Sequence, residues 1–213
     1  MDNAESGISL LSLFQMGGIF MWPLLLFSIA TISIAVERIT FLAKNNLRVD
    51  DLKIQAQKYI SQKDREGAKK YLEEKRSTRM AARILFTLVE HPNLSEHRLE
   101  KAAETEALSC INSLESGFDF LTALGSLSPL TGFLGTVSGM IGAFKSIAEA
   151  TEVNAKIVAN GIYEALITTV FGLIIAIIAM IASSLLSHIV DKFASDIETS
   201  CSELIEELTL DAH

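Results

Sequence analysis

Three long stretches without Asp, Glu, Lys or Arg interrupt an otherwise polar chain. They run from Ser6 to Val36, from Phe120 to Phe144 and from Ala165 to Val190. An α-helix rises 1.5 Å per residue and needs about 20 apolar residues to cross the hydrocarbon core of a bilayer. Each stretch is longer than that, so the pattern predicts three transmembrane helices.

Basic residues are distributed very unevenly around these stretches. Of the 18 Lys and Arg residues, 15 lie between Glu37 and Asp119, and none precedes Glu37. The positive-inside rule therefore predicts that this long connection is cytoplasmic, with the N-terminus outside and the C-terminus inside. Cys110 and Cys201 both fall on the cytoplasmic side, which favours reduced, packed thiols over a disulfide. The net charge of −8 argues against a nucleic-acid partner.

Outside the apolar stretches, apolar residues recur at helical spacing. Short helices between Lys44 and Glu90 are predicted by two stripes, Leu52, Ala56, Tyr59 and Ile60, and Ala81, Ile84, Leu85 and Leu88. A stripe from Leu99 enters the second apolar stretch without a strong stop, which predicts one continuous helix of about 75 Å with Ser95 as its N-cap. A similar stripe carries the third helix on to Leu208. The expected fold is all-α, with three transmembrane helices, two of which extend far into the cytoplasm.

Small residues punctuate the second apolar stretch. On a heptad spacing they form one seam, which consists of Gly125, Ser128, Gly132, Gly135, Gly139, Gly142 and Ser146. Each glycine inside a helix costs about 1 kcal/mol in water, whereas in lipid a small seam lets helix backbones approach closely. The alternative, a soluble nucleotide-binding loop, lacks a preceding strand and a phosphate-loop motif. We therefore predict a helix-packing seam, with a bend at Pro129.

Glu164 stands at the start of the third apolar stretch. A carboxylate at the centre of a membrane helix costs about 2.5–3.5 kcal/mol on insertion scales, so Glu164 is a candidate functional residue. Thr168 lies one turn further along, and Thr136 and Thr169 can face the same interior surface. Carboxylates, hydroxyls and water form the kind of chain that relays protons. Two plainer interpretations stay open: an interfacial glutamate at a helix N-terminus, and threonines that bond carbonyls of their own helix.

Three motifs resemble the MotA/TolQ/ExbB proton-channel family, in particular its ExbB and TolQ branch. They are Met21-Trp-Pro-Leu-Leu-Leu followed by Glu37-Arg38, Ser128-Pro-Leu-Thr-Gly-Phe-Leu-Gly-Thr-Val-Ser-Gly-Met-Ile-Gly-Ala-Phe144, and Gly161-Ile-Tyr-Glu-Ala-Leu-Ile-Thr-Thr-Val-Phe-Gly-Leu173. The resemblance implies that Glu164 is the pore glutamate, that Thr136 and Thr169 are pore threonines, and that Pro129 is the proline of the second helix. A proline common later in the third helix is Ile178 here.

The same resemblance implies an assembly and a location. It implies a homopentamer in the bacterial inner membrane, whose pore encloses transmembrane helices of a single-span partner resembling ExbD or TolR. With this topology the chain divides into a periplasmic amphipathic N-terminus (1–16), transmembrane helix 1 (17–36), a cytoplasmic helical region (37–116), transmembrane helix 2 (117–144), a short periplasmic loop (145–160), transmembrane helix 3 (161–190) and a cytoplasmic C-terminal helix (191–213).

The function that the resemblance implies is that of a proton-channel stator subunit. With its partner it would convert the proton gradient into mechanical work on a periplasmic transducer resembling TonB or TolA, for outer-membrane transport. Three alternatives stay open: a TolQ-type envelope-maintenance motor, another motility or secretion stator, and a passive membrane scaffold. A membrane serine hydrolase is disfavoured because Ser138 and His188 fall at opposite ends of their helices. We expect no enzymatic activity, cofactor or metal site.

Overall fold

The computed structural model describes residues 10–91, 94–149 and 155–210. Within these ranges the chain forms eight α-helices and no β-strand. They are α1 (Leu10–Met16), α2 (Met21–Asn45), α3 (Asp50–Ser61), α4 (Arg65–Arg76), α5 (Met80–Glu90), α6 (Glu96–Glu115), α7 (Phe118–Glu149) and α8 (Ala155–Leu210). The predicted all-α fold is confirmed.

The chain divides into two compact units. The apolar unit comprises Met1–Ala35 and Asp119–Ser183, and the polar unit comprises Val36–Phe118 and Ser184–His213. Three helical segments in the described ranges are long and apolar enough to cross a membrane. They are Met21–Ser61, Glu96–Glu149 and Val158–Thr209. The three predicted transmembrane helices therefore correspond to three candidate membrane-spanning segments.

The start of α2 follows directly from its sequence. Pro23 is the third residue of this helix, where its missing N–H costs nothing because the first turn has no backbone acceptor for it. Trp22 is mostly exposed and packs edge-on against Phe14, with ring centroids 5.4 Å apart. This contact ties the short helix α1 to the beginning of α2. The helix continues past the predicted end at Val36 to Asn45, whose side chain donates a hydrogen bond to the Phe41 carbonyl.

The polar unit has a core of its own. The apolar stripes predicted between Lys44 and Glu90 are buried on α3 and α5, although Tyr59 is only half-buried. The core residues exposed by no more than 2% include Leu52, Ile60, Leu72, Ile84, Leu85, Leu88, Leu114, Phe193, Ile197 and Leu204. Burying a leucine or phenylalanine contributes about 1.5–3 kcal/mol, so this cluster holds the short helices in place.

Cys110 and Cys201 belong to the same core. Both are free and buried, as predicted for reduced packing residues. Burial raises the pKa of Cys201 to about 12, because the thiolate form loses its hydration. Both residues therefore act as small apolar side chains rather than as reactive thiols.

The prediction of one continuous helix from Ser95 through the glycine-rich segment is wrong. Helix α6 ends at Glu115 and α7 begins at Phe118. Between them Gly117 has a φ of +92°, a conformation that glycine adopts without the steric cost of a Cβ. The sequence pattern conceals this break because Leu114, Phe118 and Leu121 keep their helical spacing across it, and all three are buried.

The ends of the other long helices also differ from the prediction. Helix α7 continues to Glu149 and α8 starts at Ala155, so most of the segment predicted as a loop at 145–160 is helical. Residues 150–154 lie outside the described ranges, as do Ile8 of the N-terminal amphipathic segment and residues 211–213.

Helix α8 is uninterrupted for 56 residues, with Ile178 in its interior. Pro129 lies inside α7, and the bend expected there stays a prediction.

Arg79 connects α5 to α3. Its guanidinium donates hydrogen bonds to both carboxylate oxygens of Asp51, one of them at 2.7 Å, and to the backbone carbonyl of Arg48. The Arg79 side chain is 10% exposed, whereas that of Asp51 is 56% exposed. The guanidinium holds the pKa of Asp51 below its ordinary value, since it stabilises the carboxylate.

Arg79→Gln should destabilise the polar unit. Hydrogen bonds to charged groups contribute about 1.5–3 kcal/mol, and solvent screening of the half-exposed carboxylate reduces the expected loss to about 1 kcal/mol. Because the pKa of Asp51 is lower in the folded chain, this stabilisation is present above about pH 4 and is lost as the pH falls through the lowered pKa. Hydrogen exchange at the amides of α3 and α5 in the full chain in detergent measures the effect.

Lys70→Gln is the matched control for Arg79→Gln, because it removes one positive charge from the exposed face of α4. We expect exchange in this variant to match that of the original chain at every pH. Equal exchange in the two variants at pH 7 would show that the Arg79 contacts contribute nothing.

Candidate functional site

The small-residue seam of α7 packs against α8 of the same chain. A Cβ added to Gly172 would lie 2.5 Å from the Ser128 carbonyl oxygen, and one added to Gly132 would lie 2.8 Å from the Thr168 carbonyl oxygen. Ser128 itself is fully buried. Since these neighbours are backbone atoms, the two helices touch where neither has room for a side chain.

The contact continues toward both ends of the seam. A Cβ on Gly139 would lie 3.0 Å from the Gly161 carbonyl, one on Gly135 would overlap the Thr168 side chain, and one on Gly125 would meet Met180 at 3.0 Å. Gly142 differs from the others because a Cβ there would meet nothing within 4 Å. The seam predicted from heptad spacing therefore contacts α8 from Gly125 to Gly139. The contact continues at Ala143, which is buried and faces Gly161, whereas Gly142 lies off the contacting face.

Two of the predicted pathway threonines meet at the seam. The Thr168 hydroxyl donates to the Ala165 carbonyl at 2.8 Å and lies 3.3 Å from the Gly132 carbonyl. The Thr169 hydroxyl donates to the same Gly132 carbonyl at 3.2 Å. Thr168 is buried, and Thr169 is half-buried. The interpretation in which a threonine bonds its own helix holds for Thr168, which also spans the gap to α7.

Thr136 also bonds a carbonyl of its own helix. Its hydroxyl donates to the Phe133 carbonyl of its own helix at 2.7 Å, and the side chain is half-buried. Thr136 follows Gly135, the residue that faces Thr168. Thr136 therefore lies beside the seam of α7, whereas Thr168 and Thr169 of α8 contact the seam.

Glu164 lies on the side of α8 that faces the α1–α2 turn. The side chain is half-buried, and its carboxylate occupies the space where Gly18 would otherwise carry a Cβ. The next residues on this side of α8 are Ile167, Phe171 and Ile175, which belong to an apolar cluster with Met21, Leu24, Leu13, Phe14 and Phe27. The Glu164 carboxylate thus lies between the α1–α2 turn and the end of an apolar cluster. The hydroxyls of Thr168 and Thr169 lie instead at the contact with α7.

Gly18 was not among the residues predicted to form the site. Its φ of +66° lies in the left-handed region, which favours glycine. The Gly17-Gly18 pair predicts a chain break, but local sequence does not indicate which distant side chain a turn will contact. Among the residues that the structure describes, no group of three or more His, Cys, Asp or Glu side chains could hold a metal ion.

Comparison with known proteins finds a family and several relatives. Residues 68–199 match the MotA/TolQ/ExbB proton channel family. Biopolymer transport protein exbB1 of Vibrio cholerae is 32% identical over 193 residues, which cover 89% of this chain and 84% of the relative. Putative biopolymer transport protein ExbB-like 1 of Synechocystis is 33% identical over 199 residues, with 87% and 75% covered. Tol-Pal system protein TolQ of Haemophilus influenzae is 40% identical over 103 residues, with 48% and 43% covered.

Gly172→Ala should weaken the α7–α8 contact. The added methyl group would press on the Ser128 carbonyl, and overpacking of this kind costs about 1–3 kcal/mol. Unfolding in mixed detergent micelles, followed by circular dichroism and by the fluorescence of Trp22, measures the loss.

The matched control for Gly172→Ala is Gly142→Ala, which adds the same methyl group where a Cβ meets nothing within 4 Å. We expect Gly142→Ala to leave stability unchanged or to raise it by up to about 1 kcal/mol, since alanine is the better helix former. Equal losses in the two variants would show that the backbone contact at Gly172 is not what holds the helices together.

Proposed function

The chain belongs to the MotA/TolQ/ExbB proton channel family, and we propose that Glu164 is the pore glutamate of the proton pathway in a stator of the ExbB/TolQ type. The family consists of proton channels rather than enzymes. Together with the three apolar helices, the relatives identify a multi-pass protein of the inner membrane.

The observation that carries the proposal is the position of Glu164 in an apolar helix. It is the only Asp, Glu, Lys or Arg between Lys156 and Asp191. A carboxylate at the centre of a membrane helix costs about 2.5–3.5 kcal/mol, and ionisable residues within transmembrane segments often mark pathways for protons or ions. The hydroxyls of Thr168 and Thr169 follow within the next two turns and bond a carbonyl of α7. Glu164 would therefore hold a proton at its carboxylate, one to two helical turns before the hydroxyls of Thr168 and Thr169.

We further propose that five copies surround a pore lined by α7 and α8. Thr136 and Thr169 would contribute hydroxyls to this lining, and transmembrane helices of an ExbD/TolR-like partner would occupy its centre. Large apolar side chains on α7, among them Phe133, Leu134 and Ile141, are mostly exposed in the single chain and need lipid or neighbouring copies to cover them. Because α7 and α8 touch through their backbones, each copy would present the pair to the pore as one rigid wall.

The energy released by proton transfer is sufficient for the mechanical work that we propose. One charge that crosses 100 mV releases about 2.3 kcal/mol, so a few protons suffice to break a set of noncovalent contacts. With the N-terminus periplasmic and the region 37–116 cytoplasmic, the partner helices would transmit this energy to a TonB/TolA-like transducer that serves outer-membrane transport. A TolQ-type envelope-maintenance role is the second candidate, since the local match to TolQ is 40% identical, but the matches that cover most of the chain are to the biopolymer transport proteins. Other motility or secretion stators and a passive scaffold are the remaining alternatives.

Glu164→Gln should strongly reduce proton uptake by liposomes that contain this chain and its single-span partner. Glutamine keeps the size of the side chain but cannot titrate, so we expect the flux to fall at least about tenfold while the oligomer still assembles. Thr136→Val and Thr169→Val should reduce the flux by smaller factors, since water can replace one hydroxyl. The flux is measured with a pH-sensitive dye inside the liposomes after a membrane potential is imposed.

Glu149→Gln provides the matched control for Glu164→Gln, because it removes a carboxylate at the end of α7 that lies near Lys145. This variant should conduct like the original chain. Undiminished flux in Glu164→Gln would reject the proton-pathway role, and the absence of flux in the original complex would favour the passive scaffold.

Native mass spectrometry of the full chain in detergent tests the assembly. We expect a five-copy species that persists in Glu164→Gln, because the seam and the apolar face of α7 are unchanged in that variant. A monomer or dimer under conditions that preserve the complex with its partner would contradict the proposed pore.

A further inference from the structure

The turn between α1 and α2 lies directly over the Glu164 carboxylate. We propose that Gly18 is a positioning residue for Glu164: its bare Cα and left-handed backbone leave the space that the carboxylate occupies, and the turn covers the carboxylate from one side. This inference rests on the proposed function, because it concerns the same carboxylate. It adds a residue to the site that is 146 positions away in the sequence.

The geometry of Gly18 supports two separate requirements for glycine. A Cβ there would overlap the nearer carboxylate oxygen of Glu164 and would lie 2.9 Å from its carboxyl carbon and 3.5 Å from its Cγ. The φ of +66° is a second reason for glycine at this position, since residues other than Gly, Asn and Asp rarely adopt this backbone conformation. The first requirement concerns contact with Glu164, and the second concerns only the backbone.

Contacts on both sides hold the turn in place. The Gly17 amide donates to the Leu13 carbonyl at 3.1 Å and closes α1, and the Met21 amide donates to the Gly18 carbonyl at 3.3 Å and opens α2. Met21 is 2% exposed and packs with Ile167, one turn below Glu164 on α8. A Cβ on Gly17 would meet Ile167 at 3.3 Å. The turn is therefore fastened to the same helix that carries the carboxylate.

Charged groups are scarce on every element that packs here. There is no Asp, Glu, Lys, Arg or His from Leu10 to Val36, and α7 has none between Asp119 and Lys145. On α8, Tyr163 is adjacent to Glu164 and Lys156 lies two turns before it. Packing, rather than neighbouring charge, therefore determines the surroundings of the Glu164 carboxylate. The backbone of the turn directly affects where the carboxylate lies and how far water can reach it.

Labelling by a hydrophobic carbodiimide measures how accessible and how protonated the Glu164 carboxyl is, and it does not require proton flux. The protonated carboxyl adds across one C=N bond of dicyclohexylcarbodiimide, and the O-acylisourea rearranges to a stable N-acylurea with no leaving group. Mass spectrometry of the full chain in liposomes gives the labelling rate at Glu164 as a function of pH, and Glu164→Gln provides the blank for this position.

Gly18→Asn and Gly18→Ala are the decisive variants. Asparagine tolerates the left-handed backbone, whereas alanine strains it, but both add the Cβ that displaces the carboxylate. We expect both to raise the labelling rate at Glu164 at least threefold and to shift its pH profile, because the displaced carboxyl leaves the cover of the turn. Gly142→Ala, which adds a methyl group in open space, should leave the rate and the profile unchanged.

Glu164→Asp distinguishes loss of the contact between Gly18 and the carboxylate from a general disturbance of the turn. In the Glu164→Asp background the carboxylate is one methylene further from the turn, so adding Gly18→Asn should change neither rate nor profile. An equal effect in both backgrounds, or wild-type labelling in Gly18→Asn with Glu164 intact, would overturn the inference. If Gly18→Ala fails to fold, Gly18→Asn still decides the question; if Gly18→Asn also fails to fold while Gly142→Ala folds, Gly18 is a requirement for folding and the positioning role is rejected.

The two proposals can fail separately. Loss of flux in Glu164→Gln with unchanged labelling in the Gly18 variants would reject only the role of Gly18. Altered labelling in the Gly18 variants with full flux in Glu164→Gln would retain the contact and reject the proton-pathway role.

Discussion

The structure of the apolar unit depends on the close approach of α7 and α8. Gly132 and Gly172 leave no side chain between the helices, so the backbone of one meets the backbone of the other. In lipid, where apolar side chains gain little by leaving the solvent, van der Waals contact between such surfaces is a main source of helix association. The same approach brings the Thr168 and Thr169 hydroxyls to a carbonyl of α7. The close approach of the two backbones therefore accounts both for the packing of α7 on α8 and for the hydrogen bonds of the two threonines.

This constraint also explains the position of Glu164. One side of α8 is occupied by the seam, and the adjacent side packs its apolar residues against α2, with Ile167 and Ile175 in a shared cluster. Glu164 stands at the end of that second side, where the α1–α2 turn meets it through Gly18 rather than through a side chain. A costly carboxylate is thus kept at a defined place by elements whose other residues are almost entirely apolar.

Much of this arrangement could be predicted from the sequence because its periodicities are local. Apolar length indicates the spans, and heptad spacing of small residues indicates the seam from Gly125 to Gly139. The break at Gly117 could not be predicted in the same way, since the buried stripe continues across it. Contacts between distant residues, such as Gly18 with Glu164 and Arg79 with Asp51, depend on tertiary geometry, and no local pattern encodes them.

Infrared difference spectroscopy tests most directly whether Glu164 titrates as protons move. Spectra of liposomes that contain the chain and its single-span partner are recorded as a proton gradient is imposed and then collapsed. We expect a carboxylic-acid C=O band that changes with the gradient and is missing from the spectra of Glu164→Gln. Proton flux through the original complex with no change in any band that Glu164→Gln removes would contradict it.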